Sequence, residues 1–269
     1  MNIGLEVNKI YNCDYKEKIC NIKDESIDMI LTDIPNNINK KTNLKDIKDY
    51  NKADGNSTWE DSNKLEWNKE FDIKTYIEEC CRILKPSGSI IVWSSWQQLY
   101  LVDSLIEQKL LRLKSQPRIG VWKKTNPQID NMDKMAVQPY EFFIWNRKGP
   151  NAVFNNQNGK HIYDHGIHQK AEYNFFECSA PNNEDIEGKH PKSKPIELFE
   201  WLILTYTNEF NKENERSIIF DGCIGGGTTA IAAIKNKRNF IGFEKEKEYF
   251  EISKERLDKL KYPESIENV

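Results

Sequence analysis

The chain has 269 residues, with 38% hydrophobic and 11% aromatic residues and a formal net charge of −3 at pH 7. This length supports one substantial domain without disulfide bonds, and the apolar runs are shorter than the ~20 residues that a membrane span requires. The slightly acidic balance excludes a uniformly basic nucleic-acid binder and leaves a local basic face open. The N-terminal M-N-I-G-L-E-V has no signal-peptide pattern, which predicts a cytoplasmic protein without a membrane partner.

Short apolar runs bounded by turn residues predict the strands of an α/β sheet. In chain order these runs are residues 8–12, 27–31, 89–93, 118–122, 140–145, 217–220 and 239–243. Helices are predicted between them, over 72–84 (ending at Lys85-Pro86-Ser87-Gly88), from Ser94, from Lys194-Pro195 and from Thr228. Alternating strands and helices are typical of a doubly wound fold with a mostly parallel sheet.

Three segments lack this periodicity. Residues 38–70 are polar and predict a long loop or lid, and residues 146–190 predict an inserted recognition or loop region. The last residues, 263–269, are expected to fray. His161, His165 and His168 have helical spacing but no fourth ligand of a fitting type nearby, so we expect no metal site.

A glycine-rich loop follows one predicted strand, in the sequence D-G-C-I-G-G-G-T-T at 221–229. Its small residues allow a ligand to approach the backbone, and Thr228 is the predicted cap of the next helix. The following strand ends at Glu244, whose carboxylate can accept hydrogen bonds from both hydroxyls of a ribose. This layout predicts a nucleotide-type cofactor. NAD sites share it, although the spacing is not the G-x-G-x-x-G of dinucleotide sites.

Further motifs along nearly the whole chain resemble the β-class amino-methyltransferases of DNA, the N6-adenine and N4-cytosine enzymes that use S-adenosylmethionine. They occur in the permuted order of that class: T-D-I-P-N-N-I at 32–38, L-K-P-S-G-S-I-I-V at 84–92, W-K-K-T-N-P at 122–127, H-P-K-S-K-P at 190–195, the glycine loop at 221–229 and N-F-I-G-F-E at 239–244. The resemblance implies a Rossmann-like methyltransferase fold, with a mostly parallel seven-stranded sheet and helices on both faces. It also implies a single domain over 1–269, with a catalytic half (1–145), a target-recognition insert (146–190) and a cofactor half (191–262).

By this resemblance the catalytic motif is Asp33, Ile34, Pro35 and Asn36. Asp33 and the backbone carbonyl of Ile34 would accept hydrogen bonds from the exocyclic amine of an extruded base and orient its lone pair. Glu244 would bind the cofactor ribose and Asp14 its adenine. The full implied cofactor set is Asp14, Asp33, Lys194, Asp221, Gly222, Cys223, Gly225, Gly227, Thr228, Thr229 and Glu244.

The chain departs from the family pattern at three of these positions. Ile34 replaces a proline, Cys223 replaces a phenylalanine, and Asn36 replaces the aromatic residue that stacks on the base. One such stack is worth roughly 1–3 kcal/mol, so the loss predicts a slower enzyme rather than an inactive one. A substitute aromatic could come from any of four tryptophans, Trp59, Trp67, Trp93 and Trp96.

The expected partner is DNA, with phosphate contacts from Lys114, Arg118, Lys123 and Lys124; an ordinary solvated face is the alternative reading of this cluster. Asp33 at the first motif position favours adenine-N6, because cytosine-N4 relatives usually carry serine there. Cytosine-N4 transfer and a catalytically weakened regulatory homologue that binds DNA and cofactor remain alternatives. A homodimer and a restriction endonuclease partner are also left open.

Overall fold

The computed structural model describes residues 3–36, 71–109, 118–127, 136–157, 160–163, 166–169, 174–181 and 193–261. The expected lid at 38–70, Lys114 and the tail at 263–269 lie outside these residues. The helices in this part of the chain begin with the short α1 (Tyr15–Lys18) and a 3-10 turn (Ile19–Asn21). The longer ones are α2 (Ile73–Ile83), α3 (Trp96–Lys109), α4 (Ile196–Tyr206), α5 (Thr228–Lys235) and α6 (Lys247–Lys261).

Within the described residues the main sheet has eight strands, in the spatial order β1-β10-β9-β2-β3-β5-β4-β8. Their bounds are β1 (Lys9–Asn12), β2 (Ile27–Asp33), β3 (Leu84–Trp93), β4 (Arg118–Lys124), β5 (Tyr140–Arg147), β8 (Phe175–Cys178), β9 (Ile218–Asp221) and β10 (Asn239–Glu244). The pairs from β1 through β3 are parallel, and β5 is antiparallel to both β3 and β4. A separate hairpin consists of β6 (Lys160–Tyr163) and β7 (Gly166–Gln169).

Apolar side chains cover both faces of the sheet. One cluster contains side chains of α2 and α3, including Ile77 and Val102; the other contains side chains of α4 and α5, including Leu202 and Ala232. The predicted α/β architecture, mostly parallel with helices on both faces, is therefore confirmed. No helix in the described part of the chain is long and apolar enough to span a membrane.

The number of strands differs from the predicted seven because β8 lies inside the expected insert at 146–190. It pairs in parallel with β4, but its four residues, of which only Cys178 is buried, are too few to give a clear alternation. The helical spacing expected for the histidines is also wrong, since His161 and His168 face each other in register across the β6–β7 hairpin. The remaining member, His165, lies outside the described residues.

Residues Lys85-Pro86-Ser87-Gly88 form part of β3 rather than a loop after α2. The strand starts at Leu84, directly after the helix, and the register with β2 jumps from Ile27↔Leu84 to Met29↔Ser89. The proline and glycine thus form an irregularity within the strand, a feature that turn residues often mark in sheets.

The four central parallel strands all end at one edge of the sheet. Asp33 ends β2, Trp93 ends β3, Asp221 ends β9 and Glu244 ends β10, and these strands are neighbours in the order β10-β9-β2-β3. Ligands of open α/β sheets bind outside the carboxyl ends of such strands. The fold therefore places residues from both ends of the sequence at one edge.

Candidate active site

A cleft of about 340 Å³ lies at this edge of the sheet. Every predicted catalytic and cofactor residue lines it, except Gly227. The fold brings these residues together from five places in the chain: the residue before α1, the end of β2, the segment before α4, the stretch from the end of β9 into α5, and the end of β10. Residues that sequence reasoning did not single out also line the cleft, among them Ser95, Tyr140, Glu141 and Tyr249.

The glycine loop turns the chain from β9 into α5 by means of left-handed backbone. Gly225 has φ of 52° and Gly227 has φ of 83°, values that side chains rarely tolerate. The N-cap of α5 is Gly227, and no side chain caps this helix. The predicted capping role of Thr228 is therefore wrong; its hydroxyl instead donates to the backbone carbonyl of Lys194 at 3.3 Å.

Asp221 holds the loop from inside. Its carboxylate accepts hydrogen bonds from the Thr229 hydroxyl at 2.5 Å and from the backbone N–H of Cys223 at 3.0 Å. Burial raises the pKa of Asp221 to about 6, and these hydrogen bonds act in the opposite direction. A carboxylate in this position fixes the loop whether or not a ligand touches it.

Glu244 also binds the glycine loop. Its Oε2 accepts from the backbone N–H of Gly225 at 2.8 Å, and its Oε1 accepts from the backbone N–H of Glu246 at 2.8 Å. Burial raises the pKa of Glu244 to about 7, although both hydrogen bonds favour the ionised form. Each carboxylate oxygen can accept a second hydrogen bond, so these contacts leave acceptor capacity for a ligand in the cleft.

The motif after β2 is held on both sides. The backbone N–H of Ile34 donates to the carbonyl of Trp93 at 3.0 Å, and the Gln98 side chain donates to the carbonyl of Pro35 at 3.1 Å. Gln98 also accepts from the backbone N–H and the hydroxyl of Ser95. Sequence reasoning missed Gln98, although Ser95-x-x-Gln98 has the spacing of a capping box.

Tyr76 connects the two halves of the cleft. Its buried hydroxyl donates to the Thr32 hydroxyl at 2.9 Å and accepts from the backbone N–H of Gly222 at 3.0 Å. A Cβ at Gly222 would lie 2.5 Å from the tyrosine ring, so only glycine allows this approach. The role of Tyr76 was not predicted, because its sequence position in the amphipathic α2 indicates only a core residue.

Asp33 is ion-paired with Lys194, whose Nζ lies 2.5 Å from Asp33 Oδ2 and 3.0 Å from Glu141 Oε2. Burial lowers the pKa of Lys194, but the charges of Asp33 and Glu141 outweigh it and raise the pKa above its ordinary value. Sequence reasoning missed Glu141, although an acidic residue stands out within the aromatic run at 140–145.

The aromatic residues proposed as substitutes for Asn36 differ in accessibility. Asn36 itself lines the cleft, as do Trp93 and Trp96. Trp93 is only 1% exposed, whereas Trp96 is 65% exposed with its ring 5.4 Å from that of Phe142. Of these two, only Trp96 presents an open ring face; Trp59 and Trp67 lie outside the described residues.

The predicted basic cluster is divided between two environments. Arg118 is exposed, and Lys123 forms an exposed ion pair with Glu177 at 2.9 Å. Lys124 instead pairs with Glu141 at 2.6 Å, and its side chain is 25% exposed. Lys114 lies outside the described residues. Phosphate binding by this cluster stays a prediction.

Comparisons with known proteins identify the family of the chain. The family model described as DNA methylase, for N6 and N4 methyltransferases, matches residues 27–255. The chain belongs to this family. It is 30% identical over 249 residues to the Type II methyltransferase M2.LlaDCHI of Lactococcus lactis subsp. cremoris, covering 88% of this chain and 84% of that protein. It is 29% identical over 246 residues to M2.DpnII of Streptococcus pneumoniae, with the same two coverages.

Solved structures show that this DNA methylase has a methyltransferase fold. The structure of the M1.HpyAVI–SAM complex matches with a TM-score of 0.62 and 24% identity, over 93% of this chain and 98% of that one. The cytosine-N4-specific PvuII DNA methyltransferase matches with a TM-score of 0.60 and 16% identity, over 92% and 85%. A structure named as cytosine-N4-specific is among these matches, so the fold alone does not indicate adenine.

Proposed function

We propose that this DNA methylase transfers a methyl group from S-adenosylmethionine to the exocyclic N6 of adenine in DNA, after the base is extruded from the duplex. The observation that supports it best is the position of Asp33: it ends a central strand in the same cleft as the glycine loop and Glu244. An aspartate at this first motif position favours adenine over cytosine. The target amine is inaccessible within a stacked duplex, so extrusion is required.

The cleft residues fit S-adenosylmethionine. Glu244 has acceptor capacity for ribose hydroxyls, Asp14 lines the same cleft for the adenine, and the loop around Gly225 brings backbone rather than side chains to the ligand. The cofactor supplies an electrophilic methyl group on a positively charged sulfur. The M1.HpyAVI–SAM complex shares this fold, which supports the choice over NAD.

In the proposed mechanism, two acceptors orient the target amine. The Asp33 carboxylate accepts a hydrogen bond from one N–H of the amine, and the Ile34 carbonyl accepts one from the other N–H; together they turn the nitrogen lone pair towards the cleft. The contacts from Trp93 and Gln98 keep the motif backbone in place for this task. We further propose that Trp96 provides the aromatic face that Asn36 lacks.

The finer organisation is proposed as the sequence predicted it. The catalytic half spans 1–145, the recognition insert 146–190 and the cofactor half 191–262. Of the four predicted phosphate contacts we keep Lys114, Arg118 and Lys123; the fourth, Lys124, pairs with Glu141. The Type II methyltransferase names of the relatives support a role beside a restriction endonuclease in the bacterial cytoplasm. Sedimentation velocity of the purified protein distinguishes a monomer from the homodimer that the sequence leaves open.

The test is nucleoside mass spectrometry of unmethylated DNA after incubation with the protein and S-adenosylmethionine. We expect N6-methyladenine, and we expect Asp33→Asn to abolish it while the melting temperature and cofactor binding stay close to wild type. Detection of N4-methylcytosine in place of N6-methyladenine would assign cytosine as the target base. Cofactor binding without any methylated base, restored to activity by Asn36→Tyr, would instead select the regulatory homologue.

A further inference from the structure

Four alternating charges form a continuous chain in the wall of the cleft. Asp33, Lys194, Glu141 and Lys124 follow one another at separations of 2.5, 3.0 and 2.6 Å between charged atoms. Their formal charges sum to zero. Lys194 lies at the centre, with its ammonium group also 5.4 Å from the centre of the Trp93 ring.

These residues come from four separate elements: the end of β2, the segment before α4, β5 and β4. The arrangement is therefore a product of the tertiary fold rather than of local sequence spacing. Lys194 is 7% exposed, and Asp33 and Glu141 are about one-third exposed. A buried ammonium needs a partner, and one carboxylate would be enough to compensate its charge. The second carboxylate, Glu141, calls for an explanation beyond the burial of a lysine.

The geometry offers an explanation for Glu141, because Asp33 and Glu141 share the ammonium of Lys194. With Glu141 ionised, Lys194 divides its hydrogen bonds between two carboxylates. Without that charge, Lys194 would interact with Asp33 alone and hold it more strongly. An aspartate that is neutralised in this way is a weaker hydrogen-bond acceptor for an incoming amine. Lys124 in turn compensates the charge of Glu141.

We propose that Glu141 is a positioning residue for methyl transfer, which holds Lys194 between two carboxylates so that Asp33 is oriented but remains a strong acceptor. Lys124 is the outer member of this network, and its ion pair is its main role instead of a phosphate contact. The inference rests on the proposed function, in which Asp33 accepts a hydrogen bond from the target amine.

The main test compares two neutral, nearly isosteric substitutions. Glu141→Gln removes the charge inside the network. Glu78→Gln is the matched control, because Glu78 is one-third exposed like Glu141 and pairs with Lys109 at 3.1 Å outside the cleft. We expect Glu141→Gln to lower kcat by about tenfold or more, the usual scale for losing one charge-assisted contact, with KM for cofactor and DNA within about twofold of wild type. The control should leave kcat unchanged.

A double variant separates this role from simple bracing of β4, β5 and α4. Glu141→Gln leaves Lys124 without its partner, and Lys124→Met then removes that unbalanced cation; neither change gives Lys194 a second carboxylate again. We therefore expect the double variant to regain melting temperature while its kcat stays as low as that of Glu141→Gln. If kcat recovers together with the melting temperature, the network is only a structural brace and the proposal is overturned.

Lys124→Met alone provides a readout that does not depend on turnover. A lost phosphate contact reduces the slope of log DNA affinity against log salt by about 0.9. We expect an unchanged slope with a reduced kcat; a reduced slope with wild-type kcat overturns the assignment. Asp33→Asn is measured in parallel. If Asp33→Asn is fully active the proposed function fails, whereas an inactive Asp33→Asn beside a wild-type Glu141→Gln refutes only this inference.

Discussion

Glu244 makes cofactor binding depend on pH in a way that can be calculated. Its pKa of about 7, raised by burial, means that near neutral pH a large share of the free protein carries this carboxyl protonated. Ribose hydroxyls are hydrogen-bond donors and favour the ionised form. Binding should therefore release a proton, and affinity for S-adenosylmethionine should rise with pH.

The expected size follows from the pKa. If only the ionised form binds, affinity is reduced by a factor of 1 + 10^(pKa − pH), which is about 11 at pH 6 and about 1.1 at pH 8. Affinity should thus increase about tenfold between these pH values. Glu244→Gln removes the titrating group and should flatten this dependence. Asp221, with a pKa of about 6, stays in both proteins, so the comparison isolates Glu244.

The same group affects stability with the opposite trend. Its pKa is raised from 4.5 to about 7 on folding, so the free protein holds a proton that the unfolded chain has already lost in this range. The stability associated with protonated Glu244 is therefore present at low pH and is lost as pH rises from 4.5 to about 7. At 1.36 kcal/mol per pKa unit, this amounts to about 3 kcal/mol.

Calorimetric titration at pH 6, 7 and 8, in two buffers of different ionisation enthalpy, measures both the affinity and the protons released. Glu248→Gln is a suitable control, because Glu248 is an exposed carboxylate in the first turn of α6 and does not line the cleft. Equal pH dependence in wild type and Glu244→Gln would refute the assignment of Glu244 to the ribose. So would proton uptake instead of release.

Two further predictions concern the base and the core of the site. Trp96→Ala should slow single-turnover methylation about tenfold or more, because the base loses its aromatic face. Asn36→Tyr should restore the rate in that background, most strongly on paired duplex. The control is Tyr100→Ala, at an 83% exposed position one turn along α3, which should have no effect. A wild-type rate in Trp96→Ala would place the aromatic face elsewhere. Tyr76→Phe should lower the free energy of unfolding by about 1–3 kcal/mol in urea titrations, because the buried N–H of Gly222 loses its acceptor. An unchanged free energy of unfolding would contradict a stabilising role for this hydrogen bond.

The sequence allowed prediction of those parts of the fold where local pattern and tertiary role agree. The runs at 27–31 and 239–243 are apolar because β2 and β10 are buried on both faces, and the acidic residues that end them lie in the cleft as expected. Local sequence signals gave wrong predictions where contacts in the folded protein override them. The proline and glycine at 86 and 88 are turn residues by propensity, but the residues on either side of them, Leu84 and Ser89, pair with β2 and keep them within one strand.

Interactions between distant residues were beyond sequence reasoning. Glu141 appears within an aromatic run, and only the pairing of β5 beside β4 shows that it meets Lys124 and Lys194. Strand β8 is similar: its four-residue run, in which only Cys178 is buried, becomes a strand because β4 offers an open edge. In both cases the information lies in contacts between residues far apart in the chain, which one sequence does not encode as a local pattern.

The charges on the two sides of the cleft are arranged differently, and the difference matches the proposed ligands. Asp33 has an ammonium partner, whereas the donors that contact Asp221 and Glu244 in the described structure are neutral hydroxyl and amide groups. Burial with neutral donors raises the pKa of both carboxyls, so this side gains most from a ligand that brings positive charge and hydroxyl donors. On the Asp33 side a neutral base would meet an anion whose charge Lys194 compensates only in part, because that ammonium is shared with Glu141.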